Sequence, residues 1–174
     1  MEEEFENIRL ALFKSASSRS FDDLLSLRNF VFAKFEWIRK YFENTIRLRP
    51  IDEFCRSLSV ETYDAGGIVF KQGDHPDKLY FVVHGACDLR VKYKVDLTKD
   101  AFEEREKLEQ EAKAGCQFGE YPPDSVEPRT CTATATEPDT ILITLNKYAL
   151  KMVSKEKENR DVLIEDLRVS SIYC

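Results

Sequence analysis

The sequence predicts an α+β fold: an antiparallel β-sandwich or barrel with N-terminal helices and C-terminal helices. Three observations predict it. Leu24, Leu27, Val31, Phe35, Ile38 and Phe42 recur at spacings of three and four, the stripe of a buried helix. Between Val60 and Leu145, short apolar runs alternate with turn clusters such as Tyr63-Asp64-Ala65-Gly66-Gly67, the rhythm of strands in a sandwich or barrel. Beyond Leu145, Asn146 stands where it can cap a further helix. These signals divide the chain into a helical region, 1–59, a strand-rich body, 60–146, and C-terminal helices, 147–174.

In the helical region Leu10, Leu12 and Phe13 form a short apolar patch, followed by the polar run Ser15-Ala16-Ser17-Ser18-Arg19-Ser20. Ser20 is placed to cap the next helix, with Asp22 and Asp23 at the positive end of its dipole. Phe30, Phe32, Trp37 and Tyr41 widen the apolar face beyond one stripe. Such a face suits either a core covered on two sides or a docking surface for a partner. Pro50 ends or interrupts this region, and Ile51 to Leu58 reads as one more short helix.

In the body, Ile68–Phe70, Leu79–Val83 and Leu89–Tyr93 read as strands separated by Gly- and Asp-rich turns. Residues 96–113 are a charged insertion. Glu103–Lys107 and Glu109–Lys113 have the favourable i,i+4 orientation, which predicts a short solvated helix between two strands. Thr130–Thr136 is β-branched at alternate positions, Glu137-Pro138-Asp139 is a turn, and Thr140–Leu145 is a final strand. A helix should run from Asn146 to about Lys155. A last one starts at Asn159 or Asp161, with Val162, Ile164 and Leu167 on its apolar side. Ile172 and Tyr173 read either as an apolar lid or as a tail end.

Composition narrows the class. The chain has 174 residues, 43% hydrophobic and 33% charged, which suits one globular domain with helical additions. A net charge of -6 gives no general attraction to nucleic acid or anionic lipid, although a local basic pocket can still hold a small anion. The five cysteines form no Cys-x-x-Cys pair, and the two histidines add no metal-binding spacing, so reduced thiols and no metal cofactor are expected. Phe30–Phe42 is the most apolar stretch and is broken by Lys34, Glu36, Arg39 and Lys40, so no membrane insertion is expected. The acidic Met1-Glu2-Glu3-Glu4 start lacks the pattern of a secretory signal, and a cytoplasmic location follows as the expectation.

One constellation carries chemistry: Phe118-Gly119-Glu120, then Arg129 nine positions after Glu120, within Glu127-Pro128-Arg129-Thr130. Gly119 permits unusual backbone angles and a close approach by a ligand. Backbone N–H groups beside it can face an anion. Arg129 offers a permanent charge and a planar fork of donors matched to phosphate oxygens. Glu120 is an acceptor for a sugar hydroxyl. The same spacing also suits a surface Glu–Arg ion pair.

Taken together, Tyr63-Asp64-Ala65-Gly66-Gly67-Ile68-Val69-Phe70-Lys71-Gln72-Gly73-Asp74, Leu79-Tyr80-Phe81-Val82-Val83-His84-Gly85, Phe118-Gly119-Glu120 and Pro128-Arg129-Thr130 resemble the cyclic-nucleotide-binding domain family. That family includes kinase regulatory subunits, cyclic-nucleotide-gated channels and the bacterial catabolite activator. The resemblance covers roughly Val60 to Leu145. It implies an antiparallel β-roll, a jelly-roll-like barrel, with a phosphate-binding cassette. It further implies cAMP or cGMP as ligand, Glu120 on the ribose 2′-hydroxyl and Arg129 on the cyclic phosphate. Phe118 and Gly119 would shape the cassette turn, and Thr130 falls where a hydroxyl can contact a guanine base. The C-terminal helices resemble those that report ligand binding to a partner or effector, a role the N-terminal helices also suit.

The sequence departs from the pattern after Glu120, where Tyr121-Pro122-Pro123-Asp124 replaces small or aliphatic residues. Proline has no N–H, so potential phosphate donors are lost. One charge-assisted hydrogen bond is worth roughly 1.5–3 kcal/mol, so affinity should fall about tenfold or more. Tyr121 is also bulky enough to alter the pocket. Beside the sensor reading stands a second, a nucleotide-incompetent scaffold of the same fold for protein–protein interaction. A third, an enzyme on a cupin-like barrel, would need several metal-binding histidines, and His75 and His84 have no companions. No nucleophile–base pair, kinase motif or P-loop is present, so a non-enzymatic protein is expected.

Overall fold

A computed structural model describes residues 2–43, 49–98, 101–120, 127–149 and 151. The chain forms two compact units, 1–58 with 145–174 and 59–144.

The first unit holds α1 (Glu2–Phe13), a 3-10 turn (Ala16–Ser18), α2 (Phe21–Lys34), α3 (Glu36–Phe42) and α4 (Arg49–Ser57). Ser20 caps α2 as expected. Its hydroxyl accepts from the Asp23 N–H at 3.2 Å, and Asp23 accepts from the Ser20 N–H at 2.7 Å. The six-residue stripe is buried throughout, but it does not lie on one helix. Phe35 is extended, with φ -116 and ψ 111, and separates α2 from α3. Two causes act together. The run Phe30-Val31-Phe32-Ala33-Lys34-Phe35 is rich in aromatic and β-branched residues, which are weak helix formers. The Arg39 guanidinium then donates to the carbonyls of Phe32 and Ala33, at 2.8 and 3.0 Å, satisfying acceptors that the break exposes. Phe42 packs edge-on against Phe54 of α4, ring centroids 5.2 Å apart, and seals that side of the core. Of the first apolar patch only Leu12 is buried, while Leu10 and Phe13 are exposed. Pro50 does not interrupt α4. It sits in the first turn of α4, where a missing N–H breaks no helical bond.

Arg19, which the sequence reading left within a polar run, is the hub of this unit. It is 5% exposed, and its guanidinium donates to five carbonyls: Ala11, Leu12, Cys55, Arg56 and Leu58. One side chain thereby ties the end of α1 to the end of α4, closing acceptors that helix ends leave open.

The second unit is an antiparallel β-roll of two four-stranded sheets. Its strands are β1 (Leu58–Tyr63), β2 (Ile68–Phe70), β3 (Lys78–His84), β4 (Ala86–Thr98), β5 (Ala101–Lys113), β6 (Gln117–Phe118), β7 (Thr132–Ala135) and β8 (Thr140–Asn146). One sheet runs β1-β8-β3-β6 and the other β2-β7-β4-β5. Alternate residues of both build a shared core: Tyr80, Val82, Phe118 and Leu142 from the first, Phe70, Leu89, Ala133 and Ala135 from the second. Leu79, Phe81 and Val83 on the other face of β3 are buried too. Burial on both faces explains why β3 reads as an unbroken apolar run.

The charged insertion is not a helix. Residues 101–113 form β5, paired with β4 along its length. Its composition favours a helix, but tertiary pairing overrides propensity. β4 alternates Leu89, Val91, Tyr93, Val95 and Leu97 and needs a partner strand. Lys92 faces Glu106 and Lys94 faces Glu104, pairs of opposite charge directly across the ladder. The i,i+4 pairs expected of a helix are replaced by i,i+2 pairs along the strand, Arg105–Glu103 at 2.8 Å and Lys113–Glu111 at 3.0 Å. Past β8, the Asn146 side chain accepts from the Ala149 N–H at 2.8 Å, the helix cap that was expected. The helix predicted from Asn159 or Asp161 and the pair Ile172-Tyr173 lie outside the described residues.

Candidate functional site

The site begins with three rings. Phe118 closes the two-residue β6 and stacks on Tyr80, centroids 5.2 Å apart and planes 8° apart. Phe70 tilts against both, at 5.6 and 6.1 Å. On leaving this platform the chain takes φ +76 at Gly119. A Cβ there would stand 2.8 Å from Arg129 Nη1 and 3.2 Å from Tyr80 Cδ2, so geometry and space both call for glycine.

The turn aims the Gly119 carbonyl at Arg129, whose Nη1 donates to it at 2.7 Å. Nη2 donates to the Lys78 carbonyl and lies 3.9 Å from Asp77 Oδ1. The guanidinium sits over Phe70, 4.3 Å from its centroid, and the residue is 7% exposed. Cation–π attraction and two carbonyls hold the charge in this half-apolar setting. The backbone is pinned as well. The Arg129 N–H donates to Asp74 O and the Gly73 N–H donates to Arg129 O, each at 2.8 Å.

Above this arrangement opens a cleft of about 280 Å³. Gly119, Glu120, Arg129 and Thr130 all line it, so four of the six residues singled out in the sequence converge on one hollow. Phe118 lies in the core beside it. Tyr121, with Pro122 and Pro123, lies outside the described residues. Glu120 is exposed and accepts from Gln117 Nε2 at 3.1 Å; it is not consumed in an ion pair with Arg129. Thr130 is exposed. His75 and His84 are exposed, and among the described residues no group of three His, Cys, Asp or Glu side chains is placed to hold a metal.

Sequence reasoning missed several participants. Phe70 and Tyr80 read as strand residues and Asp77 as turn, and Lys78 carried no assignment. Glu109, assigned to the expected helix, lines the cleft from β5. The available signal was the apolar alternation Leu89, Val91, Tyr93, Val95 and Leu97, which carries a strand pattern into the segment expected to be a helix. The cleft's other wall residue of interest is Cys131. Burial first, then the charge of Glu109, holds its thiol above the ordinary value of 9.0.

Known proteins resemble this chain in fold. The family described as "Cyclic nucleotide-binding domain" matches residues 60–156. No curated protein sequence matches the chain. Among solved structures, the regulatory domain of Toxoplasma gondii PKA co-crystallised with cAMP superimposes with a TM-score of 0.55 at 16% identity, covering 87% of this chain and 53% of that one. The regulatory subunit of a cAMP-independent protein kinase A from Trypanosoma cruzi, bound to guanosine, gives 0.56 at 15%, covering 80% and 45%. The Thermus thermophilus catabolite activator protein gives 0.53 at 22%, covering 74% and 58%. The chain spans about half the length of these structures, and the likeness is one of fold. With residues 60–156, more than half of the chain, matched by the family and its β-roll in place, the chain belongs to the cyclic nucleotide-binding domain family.

Proposed function

We propose that this chain is a non-enzymatic, cytoplasmic sensor that binds a nucleotide or nucleoside in the cleft between Glu120 and Arg129. It would report the bound state to a partner or effector through its flanking helices. The observation that carries the reading is the convergence of Gly119, Glu120, Arg129 and Thr130 on one hollow. Glu120 would accept from ribose hydroxyls, Arg129 would stabilise an electron-rich ligand group, and Thr130 would face the base. cAMP and cGMP are the ligands the family name points to. A structural neighbour carrying guanosine supports admitting nucleosides as well. Binding shifts the helices only to the extent that the ligand prefers one of their arrangements.

The test is calorimetric titration of the chain with cAMP, cGMP, adenosine and guanosine, repeated on Glu120→Ala and Arg129→Ala. Binding that weakens at least tenfold in Glu120→Ala supports the reading. Heat from none of the four ligands, with partner capture indifferent to all of them, would leave an interaction scaffold instead.

A further inference from the structure

A chain of contacts links Arg129 to the first strand of the roll. In the β3–β6 ladder Tyr80 stands opposite Phe118. Two residues on, the Val82 N–H donates to Cys116 O and the Val82 carbonyl accepts from the Gly115 N–H. Alternate residues of β3 thus turn their backbone groups toward β6, and Lys78 is the next in that series. The chain opposite leaves the ladder at Gly119, φ +76, and Arg129 Nη2 donates to the Lys78 carbonyl. The guanidinium stands where the next rung would form.

Strand ends fray unless something fixes them, and Lys78 opens β3. Its own side chain fixes it. The ammonium donates to Glu61 Oε1 at 2.7 Å, and Glu61 Oε2 accepts from the Tyr63 hydroxyl at 2.6 Å. Glu61 and Tyr63 belong to β1, which flanks β8 on the side opposite β3. The side chains of the Lys78–Glu61 pair are 35% and 26% exposed, so solvent screens it less than a surface pair. The hydrogen bond to Glu61 raises the Lys78 ammonium above its ordinary value of 10.5. One carboxylate therefore anchors the residue whose carbonyl orients the arginine.

We propose that Glu61 is a positioning residue for Arg129: through Lys78 it fixes the acceptor of Nη2 and so sets the orientation of the guanidinium. Glu61, Tyr63 and Lys78 are not among the residues that line the cleft, so this influence reaches a ligand only through the arginine. The consequence for a ligand rests on the sensor reading above; the consequence for the guanidinium does not.

The experiment is side-chain NMR of the full chain, reading rotation about the Cζ–Nε bond of Arg129. Arg19, a buried guanidinium held by five carbonyls in the helical unit, is the internal reference. Glu61→Gln removes the carboxylate charge, and Lys78→Met keeps the apolar stem without the ammonium. Each should quicken the Arg129 rotation about twofold or more and leave Arg19 unmoved. Lys78→Arg returns a cation to Glu61 and should return the rotation to its parent rate. A smaller change at Arg129 in both variants would overturn the inference. So would an equal quickening at Arg19, the mark of a general loosening. Titration calorimetry with cAMP, cGMP, adenosine and guanosine reads the consequence. A ligand that binds the parent should bind Glu61→Gln about threefold more weakly or worse, and an unchanged affinity would overturn the inference. If the parent binds none of the four, the sensor reading falls, and the rotation rates still decide the role of Glu61. Urea unfolding checks each variant, and if Glu61→Gln unfolds early, Lys78→Met carries both measurements.

Discussion

Gly119 and Gly73 separate two effects that a glycine substitution usually confounds. Both have positive φ, +76 and +92, but a Cβ at Gly73 would meet nothing within 4 Å. Gly73→Ala therefore carries only the cost of a left-handed L-residue, about 1–2 kcal/mol. Gly119→Ala carries that cost and a collision 2.8 Å from Arg129 Nη1. The arginine tip is not free to swing away, because Lys78 O and the Phe70 face hold it. Loss of its charge-assisted bond to Gly119 O adds roughly 1.5–3 kcal/mol, for a total of about 2.5–5 kcal/mol. Any stiffening of the unfolded chain is shared by both variants and cancels in the comparison. Urea unfolding of the two variants and the parent reads the difference from midpoint and slope. A further arm, Gly119→Ala in an Arg129→Ala background, should reduce the glycine's penalty by at least 1 kcal/mol if the two groups are coupled as described. Equal penalties at positions 73 and 119, within about 0.5 kcal/mol, would refute the claim that Arg129 is locked against the turn.

Two other predictions concern the helical unit. Arg19→Met keeps the apolar stem but strands buried carbonyls that now share one guanidinium, and should cost about 3–5 kcal/mol in denaturant unfolding. A loss below 1 kcal/mol would show that water replaces it. Asp23 accepts from Lys14 and from the Ser20 N–H, and these bonds hold its carboxyl below the ordinary 3.8. A depressed folded-state pKa stabilises above the unfolded value and is lost as pH falls through the folded one. Stability should therefore drop below about pH 4 through this group, and Asp23→Asn should flatten that limb of the pH profile while lowering the plateau. An unchanged acid limb in Asp23→Asn would exclude the assignment.

Much of the body was legible because its signals are local. β2, β3 and β8 announce themselves by apolar runs between turn residues, and Ser20 and Asn146 by their capping chemistry. Gly119, Glu120 and Arg129 stood out as a set through the family resemblance, since their spacing alone also suits a surface ion pair. β5 was not legible from its own residues. Its helix-favouring composition is overruled by β4, and no window confined to 96–113 contains that partner. The break at Phe35 was hidden for a related reason. The apolar stripe keeps its phase across it, and the compensating donor, Arg39, lies beyond it. Arg19 and Arg129 look like surface residues in sequence. Only the folded chain brings them the carbonyls that make burial of a guanidinium tolerable.

The β4–β5 hairpin is supported unevenly along its length. β7 accompanies β4 from Cys87 to Arg90, and the Gln72 side-chain amide then stands in for a strand at Lys92, donating to its carbonyl at 3.0 Å and accepting from its N–H at 2.8 Å. Farther out, among the described residues, the two strands have the ladder to each other alone. A two-stranded ribbon buries little apolar surface, so facing charges such as Lys94 and Glu104 matter more there than at the root, where Cys87 and Ala112 are fully enclosed. Dissolved ions screen attraction between facing charges and leave enclosed apolar contacts alone. The far arm is thus the portion of the roll whose order is tuned by the electrolyte around it, while the base of the same hairpin is indifferent to it.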